Sequence, residues 1–223
     1  MHPERAKIGC KLLQRVKQLA ENQSFDDSVG RALVEHAFFD SLPREHIEIK
    51  QTEQVLRLDL WTKFLKKVAD EASSVEICWH GTHHKSVDDI LEKGLNPVDG
   101  AWGRGAYVVA HSGLAHEYAH PNEEGWRHMC CVLVVMGSSV VKDKKGRRLV
   151  AATCNRPENP THYCVVEDDG LYSSHLITYR VTKMHSRRTG GGWEDPFQRK
   201  LWSALSKTAT IATKPVSMRN RLH

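Results

Sequence analysis

A chain of 223 residues with 40% hydrophobic residues can bury a core of its own, which excludes disorder for the bulk of it. No apolar run approaches the roughly 18 residues of a membrane-spanning helix, so no membrane partner is expected. The net charge of +5 is unevenly placed: residues 183–223 carry nine Lys and Arg against Glu194 and Asp195, leaving a near-neutral body and a basic tail.

Ile8, Leu12, Leu13, Val16, Leu19 and Ala20 fall on one helical face and predict a helix over about 5–22. A second is expected from about 28 to 38, stopping before Leu42-Pro43. Residues 46–57 alternate loosely, as a strand does, and Asp59 can cap a helix containing Leu60, Trp61, Phe64, Leu65 and Val68. After Ser73-Ser74 the texture changes to short apolar runs between turn residues. A strand at 75–79 precedes a helix that opens at Ser86 and that Gly94 stops. A strand at 106–110 leads to a short helix, capped by Ser112, through Tyr118. The run 129–136 is strongly β-prone, and strands are expected at 149–153, 163–167 and 176–182, with a charged turn at 142–148. Residues 187–192 read as a linker before a last helix near 196–205. The order is α+β, with helices first, a sheet core after residue 75 and a basic extension.

Cys10, Cys78, Cys130, Cys131, Cys154 and Cys164 form no CxxC pair, which predicts buried thiols in a reducing compartment. An intracellular setting, nucleus or cytoplasm, is the corresponding expectation. The first 20 residues lack the continuous apolar stretch of a secretory signal. Glu4 and the shortage of Ser argue against a mitochondrial presequence, and a surface helix is expected there.

Three blocks could carry chemistry. Trp79-His80-Gly81-Thr82 ends a strand, and the glycine lets a ligand reach backbone N–H and C=O groups able to grip a planar amide. His80 and Thr82 can hold sugar hydroxyls. Gly103-Arg104-Gly105-Ala106-Tyr107 opens another strand, again permitting close approach at Gly105, and Tyr118 stands eleven residues after Tyr107. Two such tyrosines could sandwich a flat ring. The third block, Leu171 to Tyr179 (LYSSHLITY), reads by itself only as a turn feeding a strand.

Taken in order, these blocks resemble the catalytic domain of the poly(ADP-ribose) polymerase (PARP) family over about residues 30–185. Residues 53–61 (EQVLRLDLW) are similar to the opening of that domain in members lacking a regulatory helical domain, and 172–179 to its tankyrase form. The resemblance implies the diphtheria-toxin-like ADP-ribosyltransferase fold, a split antiparallel sheet with an N-terminal helical segment. It implies an extension at 1–28, a catalytic domain at 29–185 and a basic extension at 186–223. It also implies NAD as substrate, no metal, and an acceptor such as a protein, with nucleic acid a further option through the basic tail.

Position by position, His80 is implied to bond the adenosine ribose and Gly81 the nicotinamide carboxamide through its backbone, with Tyr107 and Tyr118 stacking on the nicotinamide. The bond to be broken joins nicotinamide to ribose through an oxocarbenium-like transition state, as in glycoside hydrolysis. The sequence departs from the family at two places. Ser174 occupies the position of the family's catalytic Glu, and Ala115 that of a Ser that bonds the carboxamide. Loss of one preorganised electrostatic group costs on the order of 10²–10³ in rate. The expectation is transfer of single ADP-ribose units rather than polymer, with His80, Tyr107 and Ser174 at the catalytic positions. A surrogate carboxylate could come from Glu167, Asp168 or Asp169, although a solvated acidic turn is the expected reading of these residues.

Two other readings compete. A catalytically silent domain of the same fold would bind NAD, ADP-ribose, protein or RNA. A zinc hydrolase is suggested by His116-Glu117-Tyr118-Ala119-His120, which spells HExxH, although Pro121 disfavours helix there. The remaining histidines, among them His83, His84, His111, His162 and His175, are expected to be solvated or satisfied in polar turns.

Overall fold

In the computed structural model the described residues are 3–22, 27–71, 74–100, 103–136, 152–154 and 161–182. Helix α1 (Pro3–Asn22) and helix α2 (Ser28–Phe38) lead into strand β1 (Ile47–Gln54) and helix α3 (Leu58–Glu71). Next come strand β2 (Ser74–Thr82), helix α4 (Val87–Lys93), the hairpin β3 (Val98–Gly100) and β4 (Gly103–Val109), and the single turn α5 (Ser112–Ala115). The rest is sheet: β5 (Arg127–Met136), β6 (Ala152–Cys154), β7 (His162–Val165) and β8 (Leu171–Val181). The charged turn at 142–148, the linker at 187–192, the helix near 196–205 and the boundary at 185 lie outside the described residues.

The strands run in the order β1-β8-β5-β2-β4-β7-β6, with β3 pairing onto β4, and every pairing is antiparallel. Between β2 and β5 the ladder runs from Ser74↔Met136 to Thr82↔His128. Between β2 and β4 it is a single pair, Trp79↔Val109. The sheet is therefore split there, and the His80-Gly81-Thr82 end of β2 lies where its two halves part.

Strand β5 is buried from Met129 to Met136 on both faces, which explains why its sequence is a continuous apolar run rather than an alternation. On one face Cys130, Val132 and Val134 pack with Ile90, Leu95, Val108 and Leu176. Elsewhere Phe38 meets Trp79 and Tyr179 edge to face, with centroids 5.9 and 5.0 Å apart. Trp61 and Phe64 of α3 lie against Tyr172, at 4.9 and 6.0 Å. Leu12, Val16 and Leu19 form the buried stripe of α1, as their spacing predicts.

Two ionic links to buried carboxylates tie α1 to the body of the fold. Arg5 Nη2 lies 3.4 Å from Glu76 of β2, and Arg15 Nε donates to Asp27 at 2.9 Å. Asp27 is the N-cap of α2, accepting from the Gly30 N–H at 2.8 Å, and it also meets His175 of β8. Burial alone would raise its carboxyl, but the bonds from His175, Arg15 and Gly30 hold it down at about 2.

Some local expectations are corrected. Asp59 does not cap α3, which begins one residue earlier at Leu58. Ser112 is not the cap of α5 either: His111 holds that position, and the Ser112 hydroxyl donates to the Phe38 carbonyl at 2.6 Å. The helix expected through Tyr118 ends at Ala115. Cys78, Cys130, Cys131 and Cys164 are free and buried as expected, but Cys10, also free, is exposed. No described helix is long and apolar enough to cross a membrane.

Candidate functional site

His80 and Tyr107 meet where the sheet splits. One step beyond the Trp79↔Val109 pair, His80 Nδ1 lies 2.8 Å from the Tyr107 carbonyl oxygen. The imidazole thus replaces a strand-to-strand bond. A carbonyl only accepts, so Nδ1 carries the proton and Nε2 is left as an acceptor. Burial pushes the His80 pKa below the ordinary histidine value, against the opposing effect of the Tyr107 bond, so the ring is neutral at pH 7. A neutral imidazole with a free Nε2 lone pair is suited to accept from a sugar hydroxyl.

Gly81 is pressed against the chain that leads to Tyr118. A Cβ built on Gly81 would sit 2.0 Å from the Ala115 carbonyl oxygen and 2.7 Å from the Ala119 nitrogen, so a side chain there would collide with backbone. The absence of a side chain brings the ends of β2 and α5 together. Tyr118, three residues past Ala115, is 52% exposed. Tyr107 is half-buried, its hydroxyl donating to the Gly103 carbonyl at 2.8 Å, and its ring fills the space a Cβ of Gly100 would take. Thr82 is buried, opposite His128 in the ladder.

Gly105 has a packing reason of its own. Its missing side chain makes room for β7: a Cβ would lie 2.6 Å from Cys164 Sγ and 2.7 Å from the Val165 carbonyl oxygen.

Ser174 sits in a bulge of β8. Its neighbours Ser173 and His175 pair with the consecutive residues Val132 and Cys131 of β5, leaving Ser174 as the extra residue. It is 0% exposed, its hydroxyl donates to the Cys131 carbonyl at 3.1 Å, and its own carbonyl accepts from the Val55 N–H at 2.8 Å. Through Cys131, which pairs with Trp79, it lies one strand removed from β2. Of the acidic residues after β7, Glu167 pairs with Lys67 of α3, and the turn begins at Asp168.

The HExxH segment does not form a metal pair. With α5 ending at Ala115, His116 and His120 share no helical face. His116 is buried and joined to the Tyr179 hydroxyl at 2.9 Å, whereas His120 is exposed. Burial, reinforced by Arg127, pushes the pKa of His116 down to about 3. Among the described residues no three His, Cys, Asp or Glu side chains are placed to hold a metal ion.

His175, expected in a polar turn, is instead fully buried within β8. A groove of about 610 Å³ opens between α3, the turn after α4 and the start of β8, and none of His80, Tyr107, Tyr118 or Ser174 lines it.

The family model of the poly(ADP-ribose) polymerase catalytic domain matches residues 33–171. Among solved structures, the crystal structure of the PARP domain of Arabidopsis RADICAL-INDUCED CELL DEATH1 superposes with a TM-score of 0.59 at 15% identity, covering 70% of this chain and 100% of that one. At that identity the likeness speaks for the fold. Among curated proteins none matches the sequence.

Proposed function

Because the chain belongs to the poly(ADP-ribose) polymerase catalytic-domain family and has its α+β ADP-ribosyltransferase fold, we propose that it binds NAD at the split of its sheet and transfers single ADP-ribose units to an acceptor, releasing nicotinamide. The observation that carries this reading is the bond from His80 Nδ1 to the Tyr107 carbonyl. It couples two of the residues implied to grip NAD and leaves His80 Nε2 to accept from the adenosine ribose.

In this reading the Gly81 backbone takes the carboxamide, and Tyr107 and Tyr118 stack on the nicotinamide ring. The bond between the ribose carbon C1′ and the nicotinamide nitrogen breaks, its electron pair neutralising the pyridinium. The acceptor's nucleophilic atom bonds to C1′ and gives its proton to water. Ser174, at the position of the family Glu, supplies no charge to the oxocarbenium-like transition state, and its hydroxyl is engaged by Cys131. Turnover is therefore slow, and elongation into polymer, which needs an activated ribose hydroxyl, does not occur. The acceptor is a protein, and the setting is intracellular, in keeping with the free thiols.

The buried, backbone-bonded Ser174 also supports a second reading, a silent domain that binds NAD or ADP-ribose without turning it over. Calorimetric titration with NAD, combined with release of nicotinamide from labelled NAD, separates the two. The first reading expects binding and slow release, both lost in His80→Ala. Binding without release selects the second. Absence of NAD binding in the wild-type protein overturns both.

A further inference from the structure

The two segments implied to hold nicotinamide each run directly into histidines. His83 and His84 come after Thr82, and His120 lies two residues beyond Tyr118. Their rings gather in space: the centroids of His83 and His84 are 4.2 Å apart, and those of His83 and His120 are 6.4 Å apart. His83 Nδ1 accepts the Lys85 N–H at 3.2 Å, so its own proton is on Nε2, free to donate to a ligand. His84 Nδ1 is enclosed and has no hydrogen-bond partner.

The groups that act electrostatically on His83 and His128 are all basic. Loss of solvent together with His84, Lys85 and His120 lowers the His83 pKa. On β5, His128 is lowered by loss of solvent, by His84 and by Lys50 of β1. From β8, Arg180 is held by Glu48 and lies over the Trp126 ring, which Lys50 also faces. On the cluster's own segments the exposed carboxylates are Glu117, whose pKa burial raises, and Glu123 and Glu124, three and four residues past His120. No carboxylate is among the groups that act on His83 or His128. Imidazoles 4–6 Å apart resist being charged together, and an anion between them removes that resistance. With no metal-binding geometry among the described residues, the ligand that suits this arrangement is a multiply charged oxyanion.

We propose that His83, His84 and His120 form a pyrophosphate-binding site that strengthens as pH falls, and that the diphosphate bridge of NAD is the group it takes. The NAD part rests on the function proposed above; the site itself does not. Where binding takes up one proton, affinity rises by up to tenfold for each unit the pH falls.

The test is calorimetric titration of the full chain at pH 7.5, 6.5 and 5.5 with inorganic pyrophosphate, NAD and nicotinamide riboside, which has no phosphate. Pyrophosphate itself loses charge on acidification, which works against the expected result. The expectation is a rise in affinity of at least tenfold from pH 7.5 to 5.5 for pyrophosphate and for NAD, with the riboside unchanged. The rise is expected to shrink at least threefold in His120→Gln, whose exposed side chain can be replaced without disturbing the core, and to vanish in the variant carrying His83→Gln and His84→Gln as well. Pyrophosphate that fails to bind, or binds equally at all three pH values or equally to His120→Gln, overturns the site. NAD affinity that ignores pH while pyrophosphate responds overturns the assignment to the diphosphate bridge. If NAD does not bind but pyrophosphate does so with the expected pH dependence, the site stands and the NAD reading fails.

Discussion

His175 Nε2 lies 3.0 Å from Asp27 Oδ2, and both side chains are sealed from solvent, so one contact fastens strand β8 to the cap of helix α2. Removing one member of a buried pair leaves the other without its partner, at about 3–5 kcal/mol. His175→Ala is therefore expected to lower stability in urea by at least about 3 kcal/mol. The Asp27 carboxyl is held at about 2, below its ordinary 3.8, so its contribution is complete above pH 4 and is lost as pH falls towards 2. A loss below about 1 kcal/mol in His175→Ala contradicts the buried link.

Ser174 offers a sharp contrast between a structural and a chemical role. Its hydroxyl is bonded to the Cys131 carbonyl, so Ser174→Ala is expected to cost about 1 kcal/mol of stability, with NAD affinity changed less than threefold. Ser174→Glu places a carboxylate where nothing among the described contacts neutralises it. We expect a fall in melting temperature of several degrees and no gain in nicotinamide release. A Glu variant that folds as well as wild type and turns NAD over faster contradicts this.

The Gly81 position admits no side chain, because the Ala115 carbonyl occupies the space. Gly81→Ala is expected to displace the segment from α5 to Tyr118, lowering NAD affinity at least tenfold together with the melting temperature. Gly103→Ala serves as the control for glycine replacement in general, since a Cβ there meets nothing within 4 Å. Its positive φ of 98° still costs about 1 kcal/mol, but NAD affinity is expected to be preserved.

His116, pushed down to about 3 by burial, is neutral in the folded protein and takes up a proton on unfolding below its ordinary 6.5. Its contribution is present above pH 6.5 and lost as pH falls from there towards 3. Stability by urea denaturation is expected to drop with a slope that is about 1.4 kcal/mol per pH unit shallower in His116→Gln than in wild type between pH 6 and 4. Equal slopes place the titration elsewhere.

Much of the fold was legible because it depends on local pattern. The apolar stripe of α1, the span of α2 and the unbroken run of β5 announce themselves through periodicity and burial on two faces. The family was legible through short blocks in a fixed order. The links across the chain were not. His175 and Asp27 are separated by 148 positions, and His80 and Tyr107 by 27, so nothing local signals either pair. The start of α5 is not signalled either, because Ser112 looks like a cap, whereas its hydroxyl donates to the Phe38 carbonyl of α2. That β7 lies against Gly105 is likewise invisible in the local sequence.

Helix α1 lies wholly before residue 33, where the family match begins, yet Arg5 and Arg15 reach Glu76 and Asp27 inside the fold. A fragment trimmed to residues 33–171 would remove Arg5 from Glu76, delete Asp27 and cut away the strand that carries Ser174 and His175. The portion that relatives share is thus smaller than the portion that must fold together, and borders drawn by likeness would sever it at both ends.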